Sequence, residues 1–124
     1  EKDLMTIHPD KTLSELVALI KKSHRNIFPV VTEENELKGI ITLDDVREIM
    51  FDMESQKSVI VESLMHRPPE TVQSGDKMEE VMAKFEKTGA WNLPVIDDGK
   101  YVGIVSKSRI FNAYRTKLRR QNKE

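Results

Sequence analysis

The sequence repeats itself, and that repeat limits its possible folds more than any other feature. Displaced by 65 places, Thr6-Ile7 falls on Thr71-Val72, Leu13 on Met78, Glu15 on Glu80, Leu16 on Val81, Ile20 on Phe85 and Pro29-Val30 on Pro94-Val95. Further on the offset is 64, and Gly39-Ile40-Ile41-Thr42 falls on Gly103-Ile104-Val105-Ser106. The change occurs where Thr32-Glu33-Glu34-Asn35-Glu36 faces Asp97-Asp98-Gly99-Lys100, so a hairpin loop one residue longer in the first copy accounts for it. A copy of about 50 residues is marginal as an independent fold, so the two are expected to pack into one domain with their apolar faces buried against each other.

Each copy reads strand, helix, strand, strand, helix. In the first, Thr12 and Glu15 form a capping box ahead of Leu13, Leu16, Val17 and Ile20 at helical spacing. Ile27–Val31 and Leu37–Thr42 are β-rich runs around a polar turn. Val46, Ile49, Met50 and Met53 then repeat at i, i+3, i+4 and i+7, which predicts one amphipathic helix. The second copy matches, with Met78, Val81, Met82 and Phe85, a helix stop at Gly89, a turn at Asp97-Asp98-Gly99, and a last helix carrying Ile110, Phe111, Tyr114 and Leu118. The boundaries this implies are 1–53 for the first copy, 54–68 for the join, 69–118 for the second copy and 119–124 for a basic tail. Val61-Glu62-Ser63-Leu64-Met65 reads as a lead-in turn of helix before the second copy. The equivalent in the first copy would precede Glu1, so the chain is expected to be cut from a longer one.

Composition closes off several functions. The chain holds 20 Lys and Arg against 21 Asp and Glu, a net charge of -1, which gives no electrostatic argument for nucleic-acid binding. Without cysteine there is no disulfide framework and no thiolate metal site. The longest apolar run, Ile27–Val31, is far too short to span a bilayer. The five glycines are scattered and form no phosphate-gripping loop, and His8, His24 and His66 lack metal-ligand spacing. Asp44-Asp45 and Asp97-Asp98 are adjacent carboxylates that do not share a face, and the second pair reads as turn chemistry. No catalytic constellation stands out, so the chain is not expected to be an enzyme. Charge is uneven: Glu33–Glu54 holds eight acidic and two basic residues, whereas Arg115–Glu124 holds five basic and one acidic. The basic end reads as a frayed tail, or as a contact for lipid headgroups, an acidic face of the parent protein or a second subunit.

Gly39-Ile40-Ile41-Thr42-Leu43-Asp44-Asp45 after a third strand, with Ile27-Phe28-Pro29-Val30 upstream, resembles the signature of a CBS domain. Gly103-Ile104-Val105-Ser106-Lys107-Ser108-Arg109 with Asn92-Leu93-Pro94-Val95 repeats it. The whole chain is therefore similar to a tandem CBS pair, or Bateman module, an α+β fold of two β-α-β-β-α repeats packed with pseudo-twofold symmetry. The strings His24–Val31, Leu43–Phe51 and Ser106–Arg115 are also similar to the cytosolic CBS region of bacterial CLC-type chloride channels and transporters.

The resemblance implies an adenine nucleotide (AMP, ADP or ATP) in clefts between the copies, with no cofactor required and no metal. In the first cleft it points to Thr6, Ile7, Asn26 and Phe28 near the base, with Pro29 beside them. Thr42 would help hold phosphate and Asp45 would accept hydrogen bonds from the ribose hydroxyls. A phosphate at Thr42 would also feel the start of a helix. The same Thr42-x-x-Asp45 spacing is equally a helix-capping arrangement. The second, weaker cleft would use Thr71, Asn92, Pro94, Ser106 and Arg109. There a guanidinium replaces the carboxylate, and it has no acceptor for a ribose hydroxyl but suits phosphate, if it is not simply a solvated surface arginine. Trp91 is available to stack on a base or a partner, although a lone Trp beside a helix end more often caps the core.

By resemblance, then, the chain is expected to be a cytosolic regulatory domain at the inner face of the cell membrane. Its partners would be a second copy and the membrane transport domain of a chloride-transporting parent. A ligand-free dimerisation module and the regulatory domain of a soluble enzyme are the alternatives.

Overall fold

The computed structural model describes residues 5–122. The first residues of copy one and the last two of the expected basic tail lie outside the described residues.

In copy one, α1 (Leu13–Lys21) begins at Thr12, whose hydroxyl oxygen accepts the Glu15 N–H at 3.3 Å while Glu15 reaches back to the Thr12 N–H. Its apolar stripe buries Leu13, Leu16 and Val17. β1 (Ile27–Val31) and β2 (Leu37–Thr42) pair antiparallel. The expected first strand is a single residue: Ile7 bridges Val30 in parallel, donating to the Pro29 carbonyl at 3.1 Å and accepting from the Val31 N–H at 2.9 Å. Pro29 turns its carbonyl to that edge, so its missing N–H costs the β1–β2 ladder nothing.

The second copy repeats this plan with α5 (Met78–Thr88), β3 (Asn92–Asp97) and β4 (Lys100–Ser106), and Val72 bridges Val95. Gly89 stops α5 at φ 71°, a left-handed cap that glycine adopts without a Cβ penalty. Both hairpins bulge at equivalent places, Val30/Val31 and Val95/Ile96, and the loop of the first is longer by one residue, as the offset change requires. Asp98 and Gly99, at φ 51° and 78°, make the tight turn of the second.

Three expectations need correction. The stripe Val46–Met53 is not one helix. α2 (Leu43–Val46) gives way to turns, and α3 (Met53–Ser58) starts afresh because the Asp52 carboxylate accepts from the Ser55 N–H at 3.2 Å and from its hydroxyl at 2.6 Å. An Asp that caps offers the chain a new helix start in place of continuation. Met53 is left 73% exposed. Second, the apolar side chains gather in two clusters, one per copy, and not in a single shared core. Third, the basic end is not frayed through residue 122, because α6 (Lys107–Asn122) runs unbroken to there.

Residues 54–68 join the copies and also carry structure. The expected lead-in turn is α4 (Val61–Leu64), whose fully buried Val61 belongs to the first core. The chain then adds an edge to β2, with Ile40 and His66 exchanging backbone hydrogen bonds of 2.8 and 3.0 Å. Gly39 permits this approach, since a Cβ there would stand 2.9 Å from the His66 carbonyl oxygen.

Hydrogen bonds link the two hairpins. Asn35, in the left-handed region at φ 65°, accepts from the Tyr101 N–H at 2.9 Å and donates its Nδ2 to the Tyr101 carbonyl at 2.8 Å. Beside it the Lys100 Nζ donates to the Glu34 carbonyl at 2.8 Å. Among the described residues no helix is long and apolar enough to cross a membrane.

Candidate functional site

The second helix of each copy starts against the chain that enters its own hairpin. The Leu43 N–H donates to the Asn26 carbonyl at 3.1 Å, and in the equivalent place the Lys107 N–H donates to the Trp91 carbonyl at 2.8 Å. Asn26-Ile27 and Trp91-Asn92 are thus counterparts. Both segments line one cavity of about 540 Å³, together with Thr42, Leu43, Asp44 and Arg47 and with His66, Pro69 and Ala90. The space lies in the range of small-molecule sites. Its polar groups suit an organic ligand: amides from Asn26 and Asn92, the Thr42 hydroxyl, an imidazole, and the Arg47 guanidinium 2.6 Å from Asp44.

Trp91 is 73% exposed, so it does not cap the core as a lone Trp usually would. Its ring carries the Lys107 ammonium 5.1 Å from the centroid and offers a flat apolar surface at the cavity wall.

Asp45 stands behind the wall. Its Oδ2 accepts from the Thr42 N–H at 2.8 Å, as a helix cap does, and lies 2.8 Å from His66 Nε2. The His66 Nδ1 lies 3.2 Å from the Arg67 carbonyl. One carboxylate oxygen of the expected ribose acceptor is therefore engaged by protein, and the capping role that the spacing also allowed is present. Helix support for an anion at Thr42 is weak as well, because α2 has only four residues and its first N–H is taken by Asn26.

A second cavity, of about 330 Å³, opens where Arg25, His24, Ser106 and Arg109 converge, and it shares Asn26, Ile27 and Asn92 with the first. Here the helix behind it, α6, is 16 residues long, and the Ser106 Oγ accepts from the Arg109 N–H at 3.2 Å. Arg109 thus borders a cavity whose charged neighbours are basic.

The expected first-cleft residues separate in space. Asn26 and Thr42 line the central cavity, with Asp45 adjoining it. Thr6 and Ile7 border a different depression with His8, Lys11 and Lys22 against α1. Phe28 and Pro29 are fully buried and contribute no side chain to a cavity wall. Of the second set, Asn92, Ser106 and Arg109 come together, Pro94 is buried, and Thr71 offers its carbonyl to the Lys84 Nζ at 2.7 Å. Sequence reasoning passed over Arg47 and His66. The i+3 pairing of Asp44 with Arg47 was available as a signal, but His66 reaches the site through a tertiary strand bridge that no local pattern shows.

Comparison with known proteins agrees with the doubled architecture. The chain is 30% identical over 112 residues to homoserine O-acetyltransferase of Methanococcus vannielii, covering 90% of this chain and 23% of that protein. It spans about a quarter of the length of the first curated relatives it matches. Among solved structures, CBSX2 in complex with AMP superposes with a TM-score of 0.74 at 22% identity, over 90% of this chain and 87% of that one. The CBS domain of a bacterial CNNM/CorC family Mg2+ transporter in complex with ATP gives 0.76 at 21% identity, over 88% and 77%. The family model of the CBS domain matches residues 1–52 and again 61–116, so the chain belongs to the CBS-domain family and holds two copies of that domain.

Proposed function

We propose that the chain is a regulatory module that binds an adenine nucleotide between its two CBS copies and passes the occupancy of that site to a larger protein. The observation that carries the reading is the cavity of about 540 Å³ built from equivalent segments of both copies, Asn26-Ile27 and Trp91-Asn92. A ligand there touches both copies at once, so it favours whichever packing of the two fits it better, which is the requirement for a switch. The AMP and ATP complexes of similarly folded CBS proteins support the choice of ligand class. In this reading the base lies against Trp91 and the ribose near Thr42, meeting Asp45 through the carboxylate oxygen that His66 does not hold. The phosphates point through the shared wall toward Ser106 and Arg109.

The same reading makes the module regulatory and not catalytic, and sets it at the cytoplasmic face of a membrane transport protein. The chloride-transporting parent rests on the three resembling strings alone. Similarity to a transporter's CBS domain favours a transport parent of some kind, and similarity to homoserine O-acetyltransferase supports the second reading, the regulatory domain of a soluble enzyme.

The test is a melting screen with AMP, ADP and ATP, with and without magnesium. A ligand at about a hundredfold excess over its dissociation constant adds about 2.7 kcal/mol, a rise of roughly 10 °C for a domain of this size. No shift with any of them at millimolar concentration would leave the ligand-free dimerisation module as the better account.

A further inference from the structure

We propose that Lys107 is a positioning residue of the central cavity: its ammonium backs the Trp91 ring and reserves the other face of that ring for an uncharged base. The inference rests on the nucleotide reading and deepens it.

The two copies place different chemistry at equivalent positions. By the offsets of 65 and 64, Asn26, Leu43 and Arg47 of the first copy correspond to Trp91, Lys107 and Phe111 of the second. All three of the first set line the central cavity, whereas of the second set only Trp91 does. The Lys107 ammonium lies over the Trp91 ring, 5.1 Å from its centroid, and 5.6 Å from the centroid of Phe111. Lys107 and Phe111 are neighbours at i,i+4 on α6, and Phe111 packs against the second core. The Lys107 N–H also donates to the Trp91 carbonyl at 2.8 Å. Backbone and side chain of one residue thus both hold the other, and with Trp91 73% exposed little else fixes its ring.

Among the described residues the ammonium of Lys107, itself half-buried, forms no ion pair. The cation in the cavity wall, Arg47, is 2.6 Å from the Asp44 carboxylate, and the two largely cancel. The ring is therefore set by an unpaired positive charge. An ammonium over an indole face is attracted by the negative face of the ring and draws its electron density. The remaining face then favours a neutral, electron-rich ring such as adenine, and it disfavours a ring that carries positive charge.

The test is calorimetric titration of AMP, and of AMP methylated at N1, whose base is a cation at neutral pH. Each is titrated into the wild type, Lys107→Met and Lys107→Arg. Methionine keeps the apolar stem and removes only the charge. The wild type should prefer AMP by about tenfold or more, Lys107→Met should cut that preference by about threefold to tenfold, and Lys107→Arg should retain it. A preference unchanged in Lys107→Met would overturn the proposal, and so would equal weakening of both ligands, which loss of packing alone produces. A second readout needs no nucleotide, because Trp91 is the only tryptophan of the chain and its emission reports on that ring alone. Iodide should quench it more than caesium does in the wild type and in Lys107→Arg, with the difference reduced in Lys107→Met. The same difference in all three chains would remove the ammonium from the ring. A wild type that binds no AMP would sink the nucleotide reading and the ligand preference together, whereas AMP binding with no effect of Lys107→Met would sink the role of Lys107 alone.

Discussion

Gly39 and Gly103 hold equivalent positions in the two copies yet answer to different neighbours. A Cβ on Gly39 would meet the His66 carbonyl oxygen at 2.9 Å and the Met65 side chain at 3.3 Å, whereas one on Gly103 would meet nothing within 4 Å. Since the obstacle at Gly39 is backbone held in a strand bridge, it cannot turn aside. Gly39→Ala should therefore destabilise the chain by about 1 to 3 kcal/mol in urea unfolding, and Gly103→Ala should be close to neutral. Equal losses would mean that the segment around His66 does not pair with β2. Acid sensitivity is also set residue by residue. Hydrogen bonds from the Ser74 hydroxyl and N–H hold the Asp97 carboxyl below its usual range. The Thr71 N–H does the same for Glu70 against the opposing effect of burial, with lesser help from Lys87 and Lys84. A carboxylate with a lowered folded pKa contributes stability that is present above its unfolded value and lost as pH falls through the folded one. Melting temperature should thus drop from about pH 5 downward, and less steeply in Asp97→Asn. An unchanged slope would remove Asp97 from the account.

Between equivalent elements the copies diverge most where the first has α2 and α3 and the second has one long α6. The apolar spacing of Val46, Ile49, Met50 and Met53 was legible and pointed to a continuous helix, but periodicity cannot weigh a cap against continuation. Asp52 decides it through Ser55. Asp52→Ala should cost about 1 kcal/mol and lower helix content locally around Met53–Ser58, as amide hydrogen exchange would register. Protection unchanged in that segment would show the cap to be incidental. Other elements were readable because their signals were local. The Thr12 capping box, the Gly89 stop, the α4 lead-in and the loop-length difference all appear where the residues put them. The site was less readable. Asn26, Thr42, Asn92, Ser106 and Arg109, named from the resemblance to CBS domains, line cavities, but burial of Phe28, Pro29 and Pro94, and the arrival of His66 beside Asp45, depend on packing between segments far apart in sequence.

At the scale of the whole molecule, the two copies keep separate apolar cores and meet through Asn35, Tyr101, Lys100 and the walls of the central cavity. Hydrogen bonds such as those of Asn35 with Tyr101 can exchange at a small cost compared with reopening either core. The most direct measurement is calorimetric titration of AMP and ATP into the wild type, Trp91→Ala and Arg109→Ala. Trp91 is exposed and lines the central cavity, and Arg109 is exposed and lines the basic one, so neither change should threaten folding. The account expects one nucleotide per chain. Trp91→Ala should weaken both ligands by roughly tenfold, as loss of a stacking surface worth about 1 to 3 kcal/mol would, and Arg109→Ala should weaken ATP more than AMP. Full affinity for both nucleotides in Trp91→Ala, or no binding by the wild type, would contradict it.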